Sequence, residues 1–238
     1  MLGRAAAAGV RAMITVGGER PRNPLVLDLA DRHPCVFAAV GIHPHWATSS
    51  DQAHEEWLAG ALAHGKVVAA GEVGLDYHYD YSPRTVQRSV FIRMLDLARA
   101  AHKPVIIHSR EAFADTFDIL KEIAPVRGVV HCFSYSLAEA QAFLGLGLHV
   151  SFCGQLTFPK CDDLRAVARD MPLERLLLET DCPFLTPAPL RGRRNEPAHV
   201  RLIAVKHAEL RGITLDELAA ATTRNACALF GLSLEGMA

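Results

Sequence analysis

Seven short apolar runs separated by helical patterns, four of them ending in a histidine or carboxylate, predict an α/β fold. The chain lacks both G-x-G-x-x-G and G-x-x-x-x-G-K-S/T, which favours strands closed into a TIM-type (β/α) barrel over an open doubly wound sheet. With 238 residues and 50% hydrophobic side chains, the chain is long enough for one large core and too short for two linked domains, so residues 1–238 are read as a single barrel domain.

The elements follow in order. Buried parallel strands read as continuous apolar runs rather than as alternating ones. Such runs are AMITVGG (12–18), VFAAVGIHP (36–44), VVAAGEVGLD (67–76), PVIIHS (104–109), GVVHCF (128–133), HVSFC (149–153) and LLLETD (176–181). Helical periodicity is clearest from Pro83 to His102, where Val86, Val90, Ile92, Leu95 and Leu97 mix with Arg and Asp, and Pro83 fits the first turn. Further helices are expected at 51–64, 111–123, 137–144, 162–169, 197–211 and 215–230, the last opened by a Thr214/Glu217 capping box. A complete barrel needs eight strands and seven are found. The deficit lies at the front, where the remainder of a helix, GRAAAAGV, leads straight into the first run. An open seam leaves two strand edges, which predicts lowered stability or self-association.

Lys and Arg total 25 against 26 Asp and Glu, so the net charge of −1 gives no general attraction for a polyanion. Nucleic-acid binding must then rest on a local basic cluster or on bound cations. The six cysteines show no C-x-x-C spacing, which points to a reduced, cytoplasmic protein. Neither a signal peptide nor an apolar stretch of about 18 residues is present, so no membrane role is expected.

Glu72, His108, His131 and Asp181 stand at the C-terminal ends of four separate runs. Any one of them alone has an ordinary structural reading, as a salt-bridged glutamate or a satisfied core histidine. Four on four strand ends form a joint pattern, because barrel strands deliver their C-terminal residues to a common rim. The mixed imidazole and carboxylate set suits one or two divalent cations, Mg, Mn or Zn. Glu179, two residues before Asp181, shares its face one layer deeper, where it either orients a ligating histidine or forms a purely structural ion pair. His43 and His45 flank Pro44, which ends the strand, so substrate contact or proton transfer is preferred to ligation for both. Arg110 is read as a bidentate phosphate contact, with a helix-start ion pair to Glu111 or Asp115 as the alternative. Arg191, Arg193 and Arg194 form the only dense basic cluster; its place just after a ligand-bearing strand sets substrate phosphate binding level with the ordinary reading as solvated surface charge. Strand alternation turns Cys132 and Cys182 towards the helices, as small core residues.

Together GIHPH, GEVGLDY, IIHSR, HCFS, LLLETDCP and RGRRNEP, in order from about residue 10 to residue 230, resemble the TatD family of metal-dependent deoxyribonucleases. The resemblance implies a distorted TIM barrel that holds two divalent cations and hydrolyses DNA phosphodiester bonds. By matching motif, Glu72 would bridge the metals, His108 and His131 would bind one, and Asp181 would bind the other and help activate water. His43 and Arg110 would face the scissile phosphate. The chain departs from the family at its front, where a strand bearing His-x-His is expected before AMITVGG and is not found, and at Tyr135, where a small residue is usual. Three explanations compete for the front: a start assigned too far downstream, a working single-metal variant, or an inactive remnant. The intact later motifs favour the first, with a retained Glu72, His108 and His131 site, a weak Asp181 site and a low nuclease rate. The rival functions are an amide or ester hydrolase of small substrates and a non-catalytic metal-binding protein.

Overall fold

In the computed structural model, which describes residues 1–234, the seven runs become seven parallel strands paired in chain order. They are β1 (Met13–Gly18), β2 (Val36–Ile42), β3 (Val67–Asp76), β4 (Val105–Arg110), β5 (Gly128–Val130), β6 (His149–Phe152) and β7 (Leu176–Leu178). The sheet curls into part of a (β/α) barrel, and among the described residues the outer edges of β1 and β7 remain unpaired. The difference shows in burial, for nearly every residue of β2 and β3 is buried whereas Val16 on β1 is 37% exposed.

Helices α1 (Leu2–Ala7), α2 (Arg22–Arg32), α3 (Gln52–Leu62), α4 (Arg84–Ala100), α5 (Phe113–Ile123), α6 (Leu137–Gly145), α7 (Asp162–Asp170), α8 (Val200–Arg211) and α9 (Leu215–Phe230) complete the chain. The Thr214 hydroxyl accepts from the Glu217 amide at 3.2 Å, closing the expected capping box of α9, and Ser136 with Glu139 forms a second box on α6. Helix α2 was not expected. Its Pro24 and its exposed Leu25 and Leu29 blur the apolar stripe from which a helix is recognised. On α4 the stripe is set one residue away from part of the expected one, with Phe91 and Met94 buried and Ile92 outside.

The two faces of the sheet carry different cargo. Val36, Val40, Val73, Val105, Ile107, Val130 and Val150 pack outward beneath the helices in the main core. A second cluster of Ala39, Ala69, Ile106, Val129, Leu177 and Leu229, with Ile14 and Phe230 against it, fills the inside and is closed from below by the end of α9. Because strand side chains alternate, the positions two further along on the inner face stand directly above this apolar floor. No helix among the described residues is long and apolar enough to cross a membrane.

Candidate metal centre

Going up two residues from Ile106, Val129 and Leu177 reaches His108, His131 and Glu179, and four residues above Ala39 stands His43. Glu72 does not fit that count from Ala69. Its strand pairs Ala70 with Val105 but Val73 with Ile107, so β3 spends three residues where β4 spends two. This extra residue shifts the alternation, as a β-bulge does, and turns Glu72, Gly74 and Asp76 inward. Gly74 makes the close approach of β3 to β4 possible: it has φ 141°, and a Cβ there would lie 1.9 Å from the His108 carbonyl oxygen.

Glu72 is the hub. Its Oε1 lies 2.7 Å from His108 Nδ1, 3.0 Å from His131 Nε2 and 3.8 Å from His43 Nε2. Donor atoms of His43, Glu72 and His108 all lie within 4.8 Å of one another. His43, expected to contact substrate, therefore sits with the potential ligands. Although Pro44 ends β2 at Ile42, His43 keeps an extended backbone and its inward direction. Asp76 Oδ2 lies 3.0 Å from His108 Nε2 and 2.9 Å from His45 Nε2, while its Oδ1 accepts from the His78 and Tyr79 amides. Glu179 holds His131 through Nδ1 and also accepts from the Cys132 amide at 2.5 Å and the Ser151 hydroxyl at 2.7 Å.

Burial opposes ionisation at Glu72, but the imidazoles of His131 and His108 outweigh it and hold the carboxyl well below its usual range. Burial likewise opposes a charge on His131, yet Glu179 and Glu72 raise its pKa well above the ordinary histidine value. His43 behaves oppositely: burial, only partly offset by Glu72, pushes it down to about 3, so its imidazole is neutral, with Nδ1 accepting from the His45 amide at 3.2 Å and Nε2 turned towards Glu72. Burial pushes the Asp181 carboxyl up to about 7, with Glu179 and Glu72 adding to the rise against His131 and His108. Four carboxylates thus crowd a buried imidazole cluster, an arrangement that calls for positive charge and offers the nitrogen and oxygen donors that suit a divalent ion.

Asp181 belongs to no compact three-ligand group among the described residues. The strands β5 and β7 end at Val130 and Leu178, and the backbone then turns through positive φ at Cys132 (47°) and Asp181 (54°). Strand alternation does not reach these residues, which corrects the reading of Cys182 as core-facing. Cys182 is exposed, and Cys132 Sγ lies 3.2 Å from Cys153 Sγ at the top of the neighbouring strand. His45, in the short helical turn Pro44–Ser49, packs edge-on against the His43 ring with centroids 4.3 Å apart and pairs with Asp76. The guanidinium of Arg110 lies 4.8 Å from the Tyr79 ring centre. Its alternative partners are occupied elsewhere, Glu111 with His78 at 2.6 Å and Asp115 with Arg88 at 2.5 Å. Arg191, Arg193 and Arg194 are exposed on the loop after β7, and Arg191 stacks 4.1 Å from the Phe158 ring centre. Tyr135 is half-buried, its hydroxyl 2.8 Å from Ser109 Oγ and accepting from the Ala112 amide, so it braces the β4 and β5 loops.

Sequence reasoning missed Asp76 and Asn195. Asp76 stands four residues after Glu72 on one strand face, and that parity was the available signal. Asn195 donates to the Thr180 and Phe184 carbonyls at 2.8 and 2.6 Å, pinning the loop that carries Asp181, and only its place after the arginine cluster marked it.

A curled (β/α) barrel with a histidine and carboxylate cluster at its C-terminal rim is the class defined by this geometry. The profile of the family described as TatD related DNase matches residues 1–231, and the chain belongs to this family of metal-dependent hydrolases. It is 40% identical over 232 residues to the uncharacterized metal-dependent hydrolase YabD of Bacillus subtilis, covering 97% of this chain and 91% of that one. It is 35% identical over 248 residues to the 3'-5' ssDNA/RNA exonuclease TatD of Klebsiella pneumoniae, covering 100% and 93%. The crystal structure of YJJV, a TatD homolog from Escherichia coli K12, superposes with a TM-score of 0.92 at 35% identity, covering 98% of this chain and 91% of that one. A phosphotriesterase homology protein from Escherichia coli shares the fold at a TM-score of 0.73 and 15% identity.

Proposed function

We propose that this chain is a metal-dependent phosphodiesterase that hydrolyses DNA. The observation that carries the reading is the convergence of His43, His108 and His131 on one oxygen of Glu72, at 3.8, 2.7 and 3.0 Å. Glu72, His108, His131 and His43 would hold the ion, and Asp181 would complete a second, weaker position. A divalent ion there supplies Lewis acidity, lowering the pKa of water and neutralising charge that develops on a phosphate.

The chain's own groups do the rest. The Asp181 carboxylate is suited to accept the proton of an attacking water and return it to the leaving oxygen. Glu179 and Asp76 fix the imidazoles of His131 and His108, so that the donors are oriented before anything binds. Arg110 offers the paired N–H groups that match two phosphate oxygens, and Arg191, Arg193 and Arg194 supply charge further along the rim. The relative from Klebsiella pneumoniae named as an exonuclease of single-stranded DNA and RNA supports the choice of phosphodiester over amide or ester bonds.

The test is hydrolysis of single-stranded DNA by this chain and by Glu72→Ala, with Mg, Mn or Zn supplied. Metal-dependent cleavage lost in Glu72→Ala supports the proposal. Equal activity in both proteins, or turnover of amide or ester substrates alone, defeats it.

A further inference from the structure

Beside the centre the loop from Tyr77 to Pro83 carries two large aromatic side chains outward. Tyr81 is 67% and Tyr79 45% exposed, and their rings stack with centroids 5.3 Å apart and planes 17° from parallel. Exposed aromatic side chains at loop tips ordinarily sample several rotamers; these two stand on anchored backbone. The Tyr79 amide donates to Asp76 Oδ1 at 2.9 Å. The residue after Tyr81, Ser82, is fully buried, its hydroxyl donating to the His45 carbonyl at 3.1 Å and its own carbonyl accepting from Gln87 Nε2 at 2.8 Å. The His45 ring meets both tyrosines edge-on, at 5.4 and 4.8 Å, and Arg110 lies 4.8 Å from the centre of Tyr79. The same Asp76 that fixes the Tyr79 backbone contacts His108, so the aromatic column and the centre share one carboxylate.

We infer that Tyr79 and Tyr81 form a stacking platform for an unpaired nucleobase, holding a single-stranded nucleic acid so that an adjoining phosphate reaches Arg110 and the centre. This rests on the phosphodiester reading above and narrows it to single strands. A base inside a duplex has both faces covered by its neighbours, whereas an unpaired base has a free face to lay on an aromatic ring. A cation beside the ring column favours a ligand that brings phosphate together with its aromatic base, and a purely apolar ligand would make no use of it. The platform reads no base identity, because every base offers a π-face.

The test separates this inference from the hydrolase reading. Binding is measured in EDTA, where cleavage is suppressed, by quenching of 2-aminopurine in a short single strand and by titration of a matched strand of abasic residues. The expected result is quenching by the unaltered chain and affinity about 5- to 150-fold lower in Tyr81→Ala, since each stacked base contributes about 1–3 kcal/mol. Tyr81→Phe should retain most of the affinity, and Tyr81→Ala should leave the abasic strand's binding unchanged. Both rings are exposed, so matched thermal melting curves establish that the variants fold. Equal affinity of Tyr81→Ala and the unaltered chain, or an equal loss on the abasic strand, overturns the platform. Base-dependent binding without metal-dependent cleavage would keep the platform and end the hydrolase reading; cleavage indifferent to the bases would do the reverse.

Discussion

Asp76 and His108 are joined at 3.0 Å through Nε2, on the side of the ring opposite the Glu72 contact at Nδ1. Both nitrogens of His108 are therefore held by carboxylates, and the ring has no freedom to turn. Asp76→Ala should release His108 and His45 together. Partners that orient ligands typically affect metal affinity by about 10- to 100-fold, and a loss of that size is expected here, measured by calorimetric titration with Mn or Zn. Unchanged affinity would mean that Asp76 only shapes the loop.

Glu179 meets His131, the Cys132 amide and the Ser151 hydroxyl in a buried setting. Removing one partner of such a group leaves the others uncompensated, which typically costs about 3–5 kcal/mol. Glu179→Ala should lower the urea midpoint accordingly. Ser151→Ala deletes a single hydrogen bond and should cost about 1 kcal/mol.

Loading the centre should stabilise the fold by mass action. At a hundredfold excess over the dissociation constant the gain is about 2.7 kcal/mol, or roughly 5–10 °C in melting temperature for a chain of this size. Differential scanning calorimetry with and without chelator reads it directly. Glu72→Ala should show no such difference.

His207 on α8 is fully buried against Phe152, with neither ring nitrogen hydrogen-bonded among the described residues. Burial, aided by Arg211, pushes its pKa down to about 3. A folded-state pKa below that of the unfolded chain means that only the unfolded state takes up the proton as pH falls through about 6.5, so stability drops on acidification and the loss grows until about pH 3. From pH 7 to pH 5 this one residue should remove about 2 kcal/mol. His207→Leu should flatten that part of the profile, as followed by denaturant unfolding at each pH; an unaltered slope would contradict the assignment.

Gly74→Ala should be among the most damaging substitutions available. The added carbon would collide with the His108 carbonyl at 1.9 Å, and φ 141° is strained for any side chain. Soluble yield and melting temperature should both fall sharply. A mildly affected variant would show that β3 can slide past β4.

Strands β2 to β7 were legible because they are largely buried on both faces, so that an unbroken apolar run carries the signal whatever the helices do. Glu72, His108 and His131 were legible as strand-end residues for the same reason. Helix α2 escaped, since its apolar residues do not fall on one stripe. The exposure of Cys182 was not legible, because the chain leaves the strand earlier and turns through left-handed backbone at Asp181 that no local pattern announces. The cause of Glu72's inward turn, a pairing irregularity, exists only between two strands and cannot be read from either.

That irregularity makes the whole centre hostage to one count. Were β3 to pair evenly with β4 from Ala70 onward, Glu72 would fall opposite Ile107 and swing out beneath the helices while His108 and His131 stayed where they are. In this barrel the perfectly regular sheet would be the inert one.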